Sequence, residues 1–378
     1  MSGILQGLLA SFAASAKYAL YVWGYNNRGQ LGTNNLSNTL SPIQVGALTE
    51  WEFPQSSSGA TSFVIKSDST LWAWGSNTQG TLGDGTTVYR SSPVQVAGTW
   101  LNVGAAYRGT TGIKTNNTLW GWGQNAPNFT PGISSPTQIG ALTNWLKVGH
   151  KGDAEYPRGG FVCIKTDGTL WSWGDNTQGS VGDGTTTGRS SPVQIGALTD
   201  WTTATKACNY QDKAAMGIRS GALYAWGSNA NGALGLNISA ATNVLSPTQV
   251  GGLTTWVDVT IGNACCAIKT DGTIWGWGTN SNGSNGLNEG SGFGNKSSPV
   301  QIGALTNWAS IRSRQFGCAA VKTDGTMWGW GSGRADLFGT TGDGTDINRS
   351  SPVQVGALTN WSVNLGTGLR HVLGALEV

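Results

Sequence analysis

The side chains that could carry acid–base, metal or nucleophilic chemistry are few in this 378-residue chain: two histidines, five glutamates and five cysteines, besides the aspartates. A hydrolytic triad needs a histidine held between a nucleophile and a carboxylate. His150 lies in GHKGDAEYPRGG with no Cys or Ser partner beside it, and His371 lies in the strand-like run GLRHVLGAL. Glu50, Glu52, Glu155, Glu289 and Glu377 are scattered over different units and most aspartates fill turns, so the carboxylate pair of glycoside hydrolysis would have to be assembled across units. DNTQGSVGDGTT at 175–186 alternates oxygen ligands as a calcium loop would, but the closing glutamate is missing. The same stretch recurs with Ser or Gln in place of Asp175, so it reads as turn-forming sequence. FVCIK, ACCAIK and GCAAVK place cysteines in apolar, strand-like runs as small buried hydrophobes, and no CxxC spacing suggests zinc. The expectation is a non-enzyme with no catalytic residue, no metal and no cofactor.

Binding residues stand out more clearly. Lys66, Lys114, Lys165, Arg219, Lys269 and Lys322 fall at equivalent places just before a turn, with Glu377 in the seventh. They read either as solvated charges at strand ends or as a ring that docks an anion or a polyanionic glycan. Arginine beside an aromatic ring is the usual composition of an interface anchor. Tyr107 and Arg108, Tyr156 and Arg158, Arg314 and Phe316, and Phe338 are therefore candidate interface-loop residues.

These positions become visible only against the repeat that surrounds them. A WG pair recurs at Trp23, Trp74, Trp122, Trp173, Trp226, Trp277 and Trp330, at intervals of 51, 48, 51, 53, 51 and 53 residues. Each WG is followed by a serine–proline run (SPIQV, SPVQV, SPTQI and variants) and then by a tryptophan, mostly as GALTxW. All 19 tryptophans are accounted for: seven in WG, seven in LTxW and five two residues before WG, where Tyr21 and Tyr224 complete the set. Trp72 and Trp74 are thus repeated core residues rather than a binding platform. Within a unit, FVCIKTDGTLWSWG reads as strand, two-residue turn and strand, and SPVQV as a further strand with proline at its first position. Seven such units predict an all-β, seven-bladed β-propeller over residues 17–378. HVLGALEV at the C-terminus aligns with FGCAAVKT at 316–323, so the C-terminal strands should pair with the N-terminal strand within one blade and close the ring.

Composition narrows the function classes. Charged residues make up 11% of the chain and the net charge is +3, with no run of Lys or Arg longer than two, which argues against nucleic-acid binding. Residues 1–16, MSGILQGLLASFAASA, are apolar but too short to span a bilayer and lack a basic start. They read as a segment whose Ile4, Leu5, Leu8, Leu9 and Phe12 dock onto a partner.

WGYNNRGQLG at 23–32, WGSNTQGTLGDG at 74–85 and GLRHVLGAL at 368–376 resemble the regulator of chromosome condensation repeat family, and the resemblance covers residues 17–378. It implies the propeller, and it admits nucleotide exchange on small GTPases, chromatin binding, enzyme inhibition and structural roles in phage particles. The apolar leader and the Thr/Asn/Ser/Gly-rich loops are similar in style to phage structural propellers. They carry the expectation of a virion component, a tail-fibre, head-fibre or decoration protein, that binds neighbouring subunits and a host-surface glycan or receptor. The alternative is a soluble regulator or inhibitor that binds a secreted enzyme or a GTPase, with a secreted or cell-surface location.

Overall fold

The computed structural model describes residues 17–55, 59–106, 108–124, 132–151, 160–204, 206–207, 213–290, 294–334, 341–368 and 370–378. The leader residues Ile4, Leu5, Leu8, Leu9 and Phe12 lie outside them. The described chain is all-β, and its only helical elements are two single 3-10 turns, Ala230–Gly232 and Ser281–Gly283.

The strands group into four-stranded antiparallel units that repeat the sequence period. In one unit, Trp51–Gln55, Thr61–Lys66 and Thr70–Gly75 run up and down, and the first part of Arg90–Ala105 forms the outer edge. The second part of that long strand opens the next unit, so two units share one seven-stranded sheet. Two others are joined by the short strand Lys206–Ala207, which pairs in parallel with Trp145–Lys151 and Trp256–Ile261. The chain ends meet as expected. Tyr18–Gly24 pairs with His371–Glu377 from Tyr18↔Glu377 to Gly24↔His371, in a sheet completed by Thr39–Gln44 and Trp361–Thr367.

Burial follows strand position. The second strands Thr61–Lys66, Gly160–Lys165, Ala264–Lys269 and Gly317–Lys322 are buried at every residue, because both of their faces pack against neighbouring units. They carry Val, Ile, Cys and Ala on both faces, as doubly covered strands must. The fourth strands, such as Thr39–Gln44, Ile133–Gln138 and Arg349–Gln354, are half-buried or exposed at every residue. Proline is the fourth residue of Thr39–Gln44 and Ile133–Gln138, rather than the first as the sequence suggested. An outer edge tolerates it there, since the missing N–H would have pointed away from the sheet.

The hairpin turns also differ from the expected two-residue form. In five units only one turn residue has a positive φ (Ser69, Asn117, Gly168, Gly272 and Gly325), and its amide bonds the carbonyl three residues back, as in Ser69 N to Lys66 O at 2.9 Å. This is a type I turn followed by a left-handed residue, the three-residue hairpin loop. Ser220-Gly221 alone keeps the two-residue turn: both residues have positive φ, and Arg219 pairs directly with Ala222.

The WG tryptophans join the units. Trp74, Trp122, Trp226, Trp277 and Trp330 donate Nε1–H to carbonyls of the preceding unit (Gln30, Thr81, Ser180, Ala233 and Ser284) at 2.8–3.2 Å. A Cβ on Gly83 would stand 2.7 Å from Trp122 Nε1, and one on Gly342, in the last unit, 2.7 Å from Trp23 Nε1 in the first. The tryptophans two residues before WG, Trp72, Trp171, Trp275 and Trp328, lie edge-on to the LTxW ring of their own unit, as for Trp51 and Trp72 with centroids 5.9 Å apart.

Candidate functional site

The cation ring is placed against tryptophan. Lys114, Lys165, Lys269 and Lys322 hold Nζ 3.5–3.6 Å from the centroid of the outer tryptophan of the same unit, and 4.8–5.3 Å from the LTxW ring. Lys66 sits 4.7 Å from Trp72 and also bonds Glu50 at 3.3 Å. Arg219 instead pairs with Asp200 and reaches Tyr224 Oη at 3.3 Å. Burial lowers the pKa of Lys114, Lys165, Lys269 and Lys322. The indole faces offset part of that cost. The ammonium groups are thus engaged within the blades, which a charge count along the sequence could not reveal.

Arg314, expected in an exposed interface loop, is turned inward: it is 1% exposed and donates Nη2–H to the Cys318 carbonyl at 3.0 Å. Phe316 beside it is half-buried. Tyr107, Tyr156, Arg158 and Phe338 lie outside the described residues. His371 is fully buried, its Nε2 2.7 Å from Ser62 Oγ, and Ser62 donates in turn to the Gln30 carbonyl at 2.7 Å. Burial first, then the Arg314 charge, hold His371 down to about 3, with the Thr61 backbone acting in the opposite direction. The group is a neutral structural imidazole, and the Ser–His pair is sealed from solvent. His150 is likewise buried, in the strand Trp145–Lys151.

The loop expected to be turn-forming is one. Burial raises the Asp183 carboxyl, but hydrogen bonds from Thr185 and Arg189 outweigh it and hold the pKa below the usual range. Asp84 with Arg90 and Asp343 with Arg349 repeat the arrangement at 2.8 and 2.7 Å. Asn176 locks the same loop, donating to Asp183, Thr185 O and Thr187 O and accepting from Val181 N. Among the described residues no three His, Cys, Asp or Glu side chains come together as metal ligands.

What the fold does assemble is a cavity of about 610 Å³ where loops of four units converge. Tyr25, Arg28 and Gln30 follow the strand Tyr18–Gly24, and Arg370 precedes His371 in the same unit. Ser76, Gln79 and Tyr89 come from the next unit, Arg108 from the third and Gln315 from the turn between Trp308–Arg314 and Gly317–Lys322. Arg28 lies over the Tyr89 ring at 5.8 Å and Arg370 over the Tyr25 ring at 5.5 Å. Arg28 also donates to Ser76 Oγ at 3.3 Å, and Arg108 to Gln124 Oε1 at 3.3 Å. The floor is rigid: the Gln30 carbonyl accepts both Ser62 Oγ–H and Trp74 Nε1–H, and Tyr25 N bonds Arg370 O at 2.9 Å. Of these residues the sequence pointed only to Arg108. Arg28 and Tyr89 lie inside repeat loops and carry no local sign of where they converge.

The repeat itself has known counterparts. The model of the regulator of chromosome condensation (RCC1) repeat matches residues 19–65, 68–103, 167–208 and 220–268. These four stretches of the chain are RCC1 repeats. The chain is 25% identical over 298 residues to the human E3 ubiquitin-protein ligase HERC2, a match covering 74% of this chain and 6% of HERC2. It is 28% identical over 237 residues to the ultraviolet-B receptor UVR8 of Arabidopsis thaliana, covering 58% of this chain and 51% of that one. The chain thus spans about half or less of these relatives. The crystal structure of Prp20p from Saccharomyces cerevisiae, described with its binding to Gsp1p and histones, superposes with a TM-score of 0.80. That match covers 97% of this chain and 93% of Prp20p at 14% identity, a likeness of fold alone. Against this RCC1 frame, His371 and the WG tryptophans belong to the scaffold. The arginine–tyrosine cavity is made by the loops the scaffold presents.

Proposed function

We propose that the chain is a non-catalytic, protein-binding RCC1 propeller. In it, seven four-stranded blades close into a ring through the pairing of the two chain ends, and the loop face around Arg28, Arg108 and Arg370 engages a protein partner. The observation that carries this reading is the convergence of loops from four units on one cavity lined by three guanidinium groups and two tyrosine rings. Tyrosine and arginine are the side chains that dominate interface energetics. Prp20p supports the reading as a propeller described by its binding to Gsp1p and histones. Of the two functions expected from the sequence, these relatives favour the soluble regulator; the virion component draws no support from them.

Site-specific photo-crosslinking tests it. A crosslinker at Thr78, exposed on the cavity rim, should capture partner protein, and one at Leu142, exposed in a loop of the LTxW type, should not. Equal capture at both positions, or capture at Leu142 alone, would refute the assignment of the face.

A further inference from the structure

We propose that the cavity recognises an acidic peptide segment, with Asp or Glu carboxylates of the partner held by Arg28, Arg108 and Arg370. This rests on the protein-binding reading above and names the chemistry of the partner. Three guanidinium groups line one cavity, and no carboxylate stands among the described residues that line it. A carboxylate that enters it meets all three.

The stacking matters as much as the charge. Arg28 and Arg370 each lie over a phenol ring, with the guanidinium carbon 5.8 and 5.5 Å from the ring centroid, within reach of the ring's attraction for a cation. A guanidinium carries its N–H donors in a planar fork, the geometry that carboxylates accept in a bidentate pair. A ring beneath each arginine also restricts its rotamers, so less entropy is lost on binding.

The remaining lining is amide and hydroxyl: Asn27, Thr78, Gln79 and Gln315 suit the N–H and C=O groups of an extended peptide. At about 610 Å³ the cavity has the size of a site for a small segment rather than a flat interface. A nucleic acid would need an extended basic track. The described lysines at the opposite strand ends sit against indoles, and the net charge of +3 supplies no such track.

The test is fluorescence anisotropy with a labelled twelve-residue peptide of alternating Glu and Gly, its Gln–Gly counterpart, and a twelve-residue oligothymidylate. The Glu peptide should bind at low salt and weaken as salt rises, with the Gln peptide at least tenfold weaker. Arg28→Gln, Arg108→Gln and Arg370→Gln should each weaken the Glu peptide about tenfold, the scale of one charge-assisted pair. Lys17→Gln, which removes the same charge from an exposed position at the other end of the strand Tyr18–Gly24, should change it by less than twofold. Thr78→Glu places a carboxylate on the exposed rim without disturbing packing and should abolish binding. Unchanged binding by Thr78→Glu, equal binding of the Gln peptide, or tighter binding of the oligothymidylate would each overturn the proposal. If crosslinks at Thr78 persist while the Glu peptide fails, the acidic-peptide inference falls and the binding face stands.

Discussion

Single residues in this repeat are constrained by the neighbouring unit more than by their own strand. Gly83 has φ +78 and would bring a Cβ to 2.7 Å from Trp122 Nε1, whereas Gly46 has φ +60 with nothing within 4 Å. Both pay for a left-handed alanine, ~1–2 kcal/mol, and only Gly83 adds a clash of ~1–3 kcal/mol. Gly83→Ala should therefore lower the denaturant midpoint clearly more than Gly46→Ala; equal losses would mean the tryptophan contact gives way freely. His371 offers a test in pH. Its folded pKa of about 3 lies below its ordinary 6.5, so the unfolded chain takes up a proton first as the solution is acidified. The group costs nothing above pH ~6.5 and removes roughly 3 kcal/mol of stability by pH 4. His371→Gln should flatten the stability profile between pH 6.5 and 4 by that amount, whatever its stability at pH 7. A profile parallel to that of the wild type would show that His371 does not remain neutral in the fold. The structural part of His371 was legible in the sequence, because it sits in an apolar strand with no partner of opposite role. The inward turn of Arg314 was not, since RSRQF looks like any exposed loop until its carbonyl acceptor four residues on is in place.

At the level of elements, the turns and loops are small hydrogen-bonded machines built from the same few residues. In the hairpin, Trp275 Nε1–H donates to Thr273 Oγ1 at 2.9 Å, and Thr273 donates to Asp271 Oδ1 at 2.6 Å. The threonine bonds hold the Asp271 pKa below its usual range, and Lys269 closes the set over the indole. In the loop after WG, Asn77 is fully buried and spans the turn, donating to Asp84, Thr86 O and Val88 O and accepting from Leu82 N. Asn77→Ala leaves several of those groups buried and unpaired, at a cost of ~2–3 kcal/mol. It should also bring the Leu82 amide into fast hydrogen exchange. Retained protection at Leu82 would show that the backbone holds the loop without the side chain. The period of these elements could be seen in the sequence because each tryptophan, glycine and proline is set by contacts that recur in every unit. The cavity could not, because Arg28, Tyr89, Arg108 and Arg370 are brought together by the radial arrangement of units, to which no local pattern refers.

At the scale of the whole molecule, the pairing of Tyr18–Gly24 with His371–Glu377 is where the proposed seven-bladed ring would close. The strand His371–Glu377 is the only described partner that Tyr18–Gly24 and Trp361–Thr367 share, and Val378 N bonds Lys17 O at 2.9 Å. Trp361–Thr367 also packs against Trp51–Gln55 of the first full unit and Trp308–Arg314 of the last. If the proposed ring is closed there, removing residues 371–378 exposes two strand edges and uncovers the face of Trp23. The truncated chain should then lose its single cooperative transition and aggregate through those edges. A circular permutant makes the complementary case. Joining Val378 to Lys17 by a short linker, and opening the chain at the exposed Leu198 between two units, keeps every strand pair. It should fold with a melting temperature near that of the parent and keep the cavity, which the four units still assemble. A truncation that melts as sharply and at the same temperature as the parent would show that neighbour contacts alone hold the units, and the closed ring would have to be abandoned.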